Sequence, residues 1–521
     1  MIARTTSELD IIHFKEFFYK LKNNSYFGRL GKTFHTEKNL YFLDTGTGKI
    51  ARLNENVYKV LKCLLENDSF DSLFELNISE DNLILALNEI REAVEKEHIL
   101  SAPILETLTG NPVLRLDEML SNKIQNITLE LTEKCNLRCK YCIYNPSHPE
   151  HREFGHRDMN FETAKKAIDF FNNHSGDTKE VYIGFYGGEP LLNFELLKKC
   201  IDYAKIKIKN KDLSYSMTTN ATLITEDIAN FLVENKVSIT VSLDGPKLIH
   251  NENRVYANGK GSFDDTVRGL KNLVKAYKRI GASPSFGFNI VTSGPNYEEK
   301  YDQIHNFFKN LDWLPSDLPI LCSTVDPGPK EMEYVLPQSK DEKYYINNIH
   351  EPLFDWSDRK KQKSPNEQLF SQGGLNKELL RIHKRLLTDK PAKQYGMNGC
   401  CVPGYRKMFV TVDGNFYPCE RVGNIPSLGN VDIGLDIPKI KKLYVEDFIN
   451  EAKKYCKNCW AVNLCSACYT NSYDENGVHY SYRHEKCIDE RIAIESSLVR
   501  YHSIFENNPQ ELGKLNEMEL T

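Results

Sequence analysis

Three cysteines lie close together in the stretch TEKCNLRCKYCIYN, which spans residues 132–145. The thiols of Cys135, Cys139 and Cys142 could form a redox pair with an additional thiol, provide three zinc ligands, or belong to an iron–sulfur site. A 4Fe-4S cube normally takes four thiolates, so three cysteines in one loop would leave one iron open for another ligand. The spacing alone leaves the zinc and iron–sulfur interpretations evenly matched.

A second group of eight cysteines lies near the C-terminal end of the chain. Its members are Cys400, Cys401, Cys419, Cys456, Cys459, Cys465, Cys468 and Cys487. The central stretch CKNCWAVNLCSAC, residues 456–468, has CX2CX5CX2C spacing, which is also typical of a zinc knuckle. Here too the spacing by itself leaves a zinc site and an iron–sulfur site open.

The bulk properties of the chain indicate the cellular compartment in which these thiols are expected. The N-terminus MIARTTSELDIIHFKEFF lacks the features of a signal peptide, and no apolar stretch approaches the roughly 18 residues of a membrane helix. We therefore expect a cytoplasmic protein, in which fourteen cysteines indicate metal or redox chemistry more than disulfides. The net charge of −5 gives no reason to expect a nucleic-acid or anionic-membrane partner.

Residues 1–105 are predicted to form a separate N-terminal module. The stretch NLYFLDTGTGKIARLN has two short runs around a Gly-containing turn, which indicates a hairpin. Two amphipathic helix patterns follow, the second after a capping Ser79. A hairpin with helices is a winged-helix-like module, but its many acidic residues disfavour nucleic acid. A hairpin edge beside a helix can accept an added strand, so a peptide is the expected partner.

Residues 106–325 alternate strand-like and helix-like patterns. The strand-like runs are NITLELT, EVYIGFYGG, LSYSMTTN, SITVSLDG, PSFGFNIVT and LPILCSTV. This alternation predicts an α/β fold with parallel strands, either a partial (β/α)6 barrel or an open sheet, whose active site lies at the strand carboxyl ends. The three-cysteine stretch directly follows the first strand and is therefore expected at that end. Residues 326–395 are predicted to be a linker or cap, and residues 396–521 a cysteine-rich domain.

Further motifs end the second, third and fourth predicted strands, namely YGGEPLLN, TTNATLI and SLDGP. With them, the chain resembles the radical S-adenosylmethionine superfamily, whose signature is CX3CX2C after the first strand with an aromatic residue before the third cysteine, here Tyr141. The superfamily's GGEP motif is matched by Gly187, Gly188, Glu189 and Pro190. The resemblance covers roughly residues 123–325 and implies the partial barrel and a catalytic 4Fe-4S cluster held by the three cysteines.

The resemblance also implies a binding site for S-adenosylmethionine, whose amino nitrogen and carboxylate bind the open iron. Glu189 would accept a hydrogen bond from its ammonium group, and the two glycines would let the backbone approach closely. Asn220, Ser242 and Asp244 are implied ribose contacts, and Arg254 is the implied carboxylate-binding residue. Taken singly, a Ser or Asn at a strand end caps a loop about as often as it binds a ligand, and an isolated Arg is usually a surface charge.

The C-terminal cysteines resemble the SPASM extension, which carries two auxiliary 4Fe-4S clusters. By this resemblance an outer cluster is held by Cys456, Cys459, Cys465 and Cys487, and an inner cluster by Cys401, Cys419 and Cys468. The extension usually ends its central motif CX3C, whereas this chain has CX2C, which puts the ligand role of Cys468 in question. The fourth inner ligand is also open. Either the adjacent Cys400 or no cysteine at all occupies that position.

As a whole, the chain resembles the radical S-adenosylmethionine SPASM peptide maturases of the sactipeptide and ranthipeptide type. The implied reaction uses a 5′-deoxyadenosyl radical to join a Cys sulfur to a peptide carbon in a ribosomally synthesised precursor. The implied partners are the leader of that precursor and an electron donor such as a flavodoxin or ferredoxin.

Three alternatives remain. They are a carbon–carbon crosslink or residue oxidation of the sulfatase-maturase kind, chemistry on a small molecule, and a zinc-stabilised binding protein. The sulfatase version is disfavoured by residues 1–105, since such maturases typically lack a leader-binding module. No general base can be assigned, although Asp326, Glu420 and Asp413 lie near the predicted site loops.

Overall fold

The computed structural model describes most of the chain. The described residues are 6–148, 151–292, 297–315, 318–324, 374–397, 399–479 and 487–518. Most of the predicted linker at 326–395, including Asp326, lies outside them; its described part contains helix α12, defined below. In the described part of the chain no helix is both long and apolar enough to cross a bilayer.

The N-terminal module consists of three helices and a small antiparallel sheet. Its elements are α1 (Thr6–Lys22), β1 (Gly31–His35), β2 (Leu40–Asp44), β3 (Ile50–Leu53), α2 (Glu55–Asn67) and α3 (Glu80–Glu97). The predicted hairpin is present as β2 and β3, with Leu40 paired to Leu53. The side chain of Asn54 caps α2, and that of Ser79 caps α3 by accepting from the amide of Asn82. The winged-helix-like assignment itself stays a prediction.

The central domain is built on six parallel strands. A short strand, β4 (Leu108–Thr109), lies outside this sheet and pairs with Tyr395–Gly396. The six strands are β5 (Asn126–Thr132), β6 (Glu180–Gly187), β7 (Asp212–Thr219), β8 (Val237–Ser242), β9 (Phe286–Thr292) and β10 (Ile320–Thr324). The helices are α4 (Asn111–Leu114), α5 (Leu116–Asn122), α6 (Phe161–Asn173), α7 (Phe194–Lys207), α8 (Glu226–Glu234), α9 (Lys247–Asn253), α10 (Phe263–Ile280) and α11 (Tyr297–Lys309). Strands β5 to β10 lie in sequence order and all pair in parallel, as the alternating pattern predicts.

Strand β5 shows why one face of this sheet carries buried polar side chains. Its apolar residues Ile127, Leu129 and Leu131 alternate with polar residues, and the apolar set belongs to the main hydrophobic core. Thr128, Glu130 and Thr132 therefore point to the opposite face, where they are also buried. Buried polar side chains persist only when they have hydrogen-bond partners or a function, so this face is the expected location of a site.

The C-terminal region extends the sheet beyond β5. Its elements are α12 (Gly374–His383), β11 (Tyr395–Gly396), β12 (Met408–Val410), β13 (Asn415–Tyr417), β14 (Gly429–Asn430), β15 (Gly434–Leu435), α13 (Ile437–Ile440), α14 (Phe448–Cys456), β16 (Tyr473–Asp474), β17 (Gly477–Val478) and α15 (Cys487–Asn507). Strand β12 pairs in parallel with β5, and β13 to β15 continue outward to give ten strands in all. This extension was not predicted. It brings the cysteine-rich region beside the strand that precedes the first three cysteines.

The N-terminal module packs against the C-terminal region. Phe34 and Leu43 of its sheet share a small hydrophobic core with Leu464 and Leu498. The Lys32 ammonium group lies 3.0 Å from a carboxylate oxygen of Glu495. The edge strand β1 is thus covered by the C-terminal region, whereas β3 forms the other edge of the sheet.

Candidate active site

The three-cysteine loop leaves the end of β5 and is anchored to the segment around α9. The amide of Arg138 donates to the carbonyl oxygen of Val255 at 2.7 Å, and Leu137 between the cysteines is fully buried. Within the loop the amide of Cys142 donates to the carbonyl oxygen of Cys139 at 3.1 Å. These backbone bonds fix the loop at the carboxyl end of the sheet, where the sequence predicts the active site.

The thiols of this loop lie close enough together for their charges to interact. Burial, reinforced by Glu189 and by the other two thiols, raises the pKa of Cys135 to about 12. Burial likewise raises the pKa of Cys139 to about 11 and that of Cys142 above its ordinary value. Three buried thiolates therefore need a local positive charge, which coordinated iron supplies. The donor chemistry of the loop fits a three-thiolate cluster.

The GGEP motif packs directly against this loop. Gly187 has φ of +145°, and an added Cβ there would overlap the carbonyl oxygen of Thr132. A Cβ at Gly188 would overlap the carbonyl oxygen of Lys134, and the amide of Glu189 donates to that same oxygen at 2.8 Å. In this structure the glycines bring the second strand end against the cysteine loop, whereas the resemblance implies close approach to a ligand. Either way, only glycine fits.

Glu189 is a fully enclosed carboxylate beside the cysteine loop. One carboxylate oxygen accepts from the hydroxyl of Thr219 at 2.7 Å, and the other accepts from the amide of Asn220 at 2.8 Å. Burial raises the pKa of Glu189 to about 7, although these hydrogen bonds act in the opposite direction. Because the group titrates near neutral pH, it can accept a proton or a hydrogen bond from a cationic ligand.

Asp244 and Arg254 form a buried ion pair at the end of β8. The guanidinium group donates two hydrogen bonds to the carboxylate, at 2.9 and 3.0 Å. The same carboxylate accepts from the hydroxyl of Tyr141 and from the amide of Val291. The positive charge of Arg254 also acts on the thiol of Cys139, where it opposes the rise in pKa that burial causes. In this structure the predicted ribose contact and the predicted carboxylate-binding residue thus hold each other, next to a cysteine of the loop.

The remaining predicted residues lie at the same end of the sheet. Ser242 ends β8 and is buried. The side-chain amide of Asn220 donates to the side-chain oxygen of Asn136 at 2.9 Å, and the Asn136 amide donates to the hydroxyl of Thr222 at 2.8 Å. This chain of hydrogen bonds ties the end of β7 to the cysteine loop. The structure therefore gives Asn220 a loop-bridging contact, and its ribose role stays a prediction.

His250 is a site residue that the sequence reasoning missed. Its Nδ1 accepts from the amide of Asp244 at 3.4 Å, and its Nε2 lies 3.0 Å from the hydroxyl of Ser262. Burial and the nearby Arg254 charge lower the pKa of His250 to about 4, so the ring is neutral. The Ser262 hydroxyl in turn donates to the carbonyl oxygen of Arg254. The ring thereby orients the loop that carries the ion pair.

The C-terminal thiols separate into two sets. One cavity is lined by five cysteines, which are Cys400, Cys456, Cys459, Cys465 and Cys487. The other set contains Cys401, Cys419 and Cys468, whose charges interact with one another. Burial raises the pKa of Cys419 and of Cys459 to about 12. This partition matches the predicted outer and inner sets, except that Cys400 joins the outer one.

The described residues contain no group of three or more His, Cys, Asp or Glu side chains arranged around a single metal ion. In an iron–sulfur cube each thiolate binds a different iron, so the thiols stand around a cavity. The five cysteines that line one cavity fit that second arrangement.

The two described acids considered as general bases are both paired. The Lys407 ammonium group lies 2.6 Å from the carboxylate of Glu420. Asp413 accepts from Arg157, which also pairs with the buried Glu133. Neither acid is assigned a catalytic role by these contacts.

Comparisons with known proteins show which family this chain resembles. The profile of the radical SAM superfamily matches residues 129–307. An uncharacterized protein of Methanocaldococcus jannaschii is 30% identical over 332 residues, which cover 63% of this chain and 96% of that protein. A cysteine-type anaerobic sulfatase-maturating enzyme of Clostridium novyi is 30% identical over 355 residues, covering 65% of this chain and 86% of that enzyme.

One further sequence relative and one solved structure are also similar to this chain. A radical SAM cyclopropyl synthase of Paramaledivibacter caminithermalis is 28% identical over 280 residues, covering 51% of this chain and 56% of that enzyme. The solved structure of native anSMEcpe with bound AdoMet superposes with a TM-score of 0.54 at 24% identity, covering 74% of this chain and all of the other. At that identity the match shows the shared fold.

Proposed function

The chain belongs to the radical SAM superfamily, and from that premise we propose that it is a maturase that installs a thioether crosslink in a ribosomally synthesised precursor peptide. Membership implies S-adenosylmethionine and a 4Fe-4S cluster as cofactors. The observation that supports the proposal is the convergence of Cys135, Cys139 and Cys142 with Glu189 and Arg254 at one end of the sheet. A peptide substrate fits the maturases among the relatives.

Each converging group has a proposed task. When bound, the cluster and S-adenosylmethionine supply a carbon radical that removes a hydrogen atom from the substrate. The three cysteines hold the cluster and leave one iron for the cofactor. Glu189 accepts a hydrogen bond from the cofactor's amino group, and Arg254, which is paired with Asp244, contributes positive charge near the cofactor's carboxylate. The neutral His250 keeps Arg254 and Asp244 in place.

The cysteine-rich region is proposed to hold two auxiliary 4Fe-4S clusters, as in the SPASM extension. The outer cluster would occupy the cavity that is lined by Cys456, Cys459, Cys465 and Cys487. The inner set lies beside the sheet extension, which attaches to β5 through β12. In a thioether-forming reaction the surplus electron leaves the substrate, and a nearby cluster is a suitable acceptor.

The N-terminal module is proposed to bind the leader of the precursor. Strand β3 is an edge of the three-stranded sheet, and α2 follows it directly. An extended peptide can add to such an edge through backbone hydrogen bonds. Because this module packs on the cysteine-rich region, a leader bound there keeps the core of the same peptide close to the enzyme.

A second candidate is residue oxidation of the kind performed by sulfatase maturases. The 30% identity to the Clostridium novyi enzyme favours it. That match leaves a substantial part of this chain without a counterpart, since it covers 65% of it.

The deciding experiment is mass spectrometry of a Cys-containing precursor peptide encoded beside this gene. The peptide is co-expressed with the enzyme without oxygen, reduced, and then treated with a thiol alkylator. A loss of two hydrogens with cysteines that no longer react supports thioether formation. The same mass loss with every cysteine still reactive indicates another crosslink, and oxidation of a cysteine or serine to an aldehyde supports the second candidate. An unchanged peptide argues against both.

A further inference from the structure

Two neighbouring cysteines of this chain face different thiol sets. The Cys401 sulfur lies 3.6 Å from the hydroxyl of Tyr469 and interacts with Cys468. Cys400, one residue earlier, lines the cavity that holds Cys456, Cys459, Cys465 and Cys487. The cavity is thus lined by five cysteines, one more than a 4Fe-4S cube requires.

The segment before Cys400 is tightly packed against the loop that carries the other thiols. A Cβ at Gly399 would overlap the backbone of Ser466 and Ala467, so only glycine permits this approach. Ser466 is itself fixed, because its hydroxyl and amide both donate to the carboxylate of Glu490. Glu490 belongs to α15, the helix that begins at Cys487. The position of Cys400 in the cavity wall is therefore built into the packing.

We propose that Cys400 is a fifth thiol of the outer cluster site and can take the ligand position of Cys487. The inference rests on the proposed outer cluster. The exchange needs no oxidant or reductant. The Cys400 thiol loses its proton and binds iron, and the displaced thiolate takes up a proton.

Cys487 is the ligand most readily exchanged because it comes from a separate element. Cys456, Cys459 and Cys465 belong to one short stretch in which the Cys459 amide donates to the carbonyl oxygen of Cys456 at 3.1 Å. Cys487 instead begins α15. The two interchangeable thiols give the outer cluster a complete ligand set in either arrangement. They also leave the inner set with three cysteines among the described residues.

The test compares Cys400→Ala, Cys487→Ala and the double variant, each purified and reconstituted without oxygen. A cube held by only three thiolates has one iron that mild ferricyanide removes, and the resulting three-iron cluster is counted by electron paramagnetic resonance. Iron analysis of the wild-type protein comes first. About 12 irons per chain support three cubes, and about 4 would remove the auxiliary clusters and this inference together while leaving the radical mechanism intact.

We expect each single variant to give the wild-type count of three-iron clusters, and the double variant to gain one per chain. A gain in Cys487→Ala alone would show that Cys400 does not replace it and would overturn the proposal. If Cys400→Ala alone gained a three-iron cluster, Cys400 would be a ligand of the inner cluster, and the proposal would likewise be overturned. If Cys487→Ala does not fold, Cys487→Val, which is closer in size and cannot bind iron, takes its place alone and combined with Cys400→Ala, with the same expected pattern.

Discussion

The thiol loop after β5 and the C-terminal thiols differ in what surrounds them. Buried charges surround the first, namely the carboxylate of Glu189 and the pair of Asp244 and Arg254. Aromatic rings line the second, where Tyr444 and Tyr473 lie within 5.8 and 6.2 Å of the Tyr469 ring centroid. A buried charge is costly unless it is paired or used. The contrast fits the proposed binding of a polar cofactor at the first site and the proposed enclosure of auxiliary clusters at the second.

The largest expected effect is a variant that loses the activity of the first thiol site and keeps the iron of the second. Cys139→Ala removes one of three cluster ligands and should abolish reductive cleavage of S-adenosylmethionine, while the roughly 8 irons of two auxiliary cubes remain. Cleavage is measured by release of 5′-deoxyadenosine. Cys200→Ala, on the buried face of α7, is the control and should retain cleavage. Wild-type turnover by Cys139→Ala would remove the catalytic assignment of this loop.

The next effect tests the charged surroundings of the first site. Asp244→Ala leaves the Arg254 guanidinium buried without its partner, which should destabilise the fold by about 3–5 kcal/mol. Thermal unfolding monitored by circular dichroism measures the change. The control is Asp264→Ala, which breaks an exposed pair with Lys247 and should cost less than about 1 kcal/mol. Equal melting temperatures for the two variants would contradict the role of the buried pair.

A smaller effect should appear in the pH dependence of cofactor binding. Burial raises the pKa of Glu189 to about 7, so the carboxylate that accepts from the ammonium group is mostly lost at pH 6 and present at pH 8. Wild-type affinity for S-adenosylmethionine should therefore rise over that range.

Glu189→Gln is the matching variant. It should bind the cofactor about 10–100-fold more weakly at pH 8, since a hydrogen bond to a charged group contributes about 1.5–3 kcal/mol. It should also show a flatter pH profile. Equilibrium dialysis measures both, with the exposed Glu195→Gln as the control. A wild-type profile in Glu189→Gln would show that another group titrates.

The smallest effect lies in the aromatic surroundings of the inner set. Tyr469→Phe removes only the hydroxyl that lies 3.6 Å from the Cys401 sulfur. Hydrogen bonds to cluster sulfurs raise the reduction potential, so this variant should lower the potential of the inner cluster. A redox titration followed by electron paramagnetic resonance measures it. Tyr473→Phe, whose hydroxyl donates to the carbonyl oxygen of Leu443, is the control and should leave the potential unchanged.

The sequence predicts the parts of this fold that depend on local pattern. The six strands, the hairpin of β2 and β3, and the cap at Ser79 follow from periodicity and capping chemistry over a few residues. Strand β12 escapes such reasoning because it is three residues long and its partner β5 lies some 280 residues earlier. Its pairing is decided by packing that no local window contains.

In the candidate site, too, local sequence motifs predict some residues, whereas others depend on contacts between distant parts of the chain. Cysteine spacing and the GGEP motif identify the residues that converge around the cluster loop. The bridge from Asn220 through Asn136 and the neutral His250 were missed, because each depends on side chains that only the folded chain brings together. Likewise, nothing in the dipeptide Cys400–Cys401 indicates that its two cysteines join different thiol sets.

The contact between the N-terminal sheet and the cysteine-rich loop has one more consequence. The Thr45 hydroxyl donates to the carbonyl oxygen of Trp460, and the Asn463 amide donates to the carbonyl oxygen of Thr45 at 2.6 Å. Trp460 and Asn463 lie between Cys459 and Cys465, in the loop that the outer cluster would brace. A newly made chain without its iron would offer this sheet a looser support. Binding of the leader peptide to this sheet, as proposed above, would then depend on prior assembly of the outer cluster.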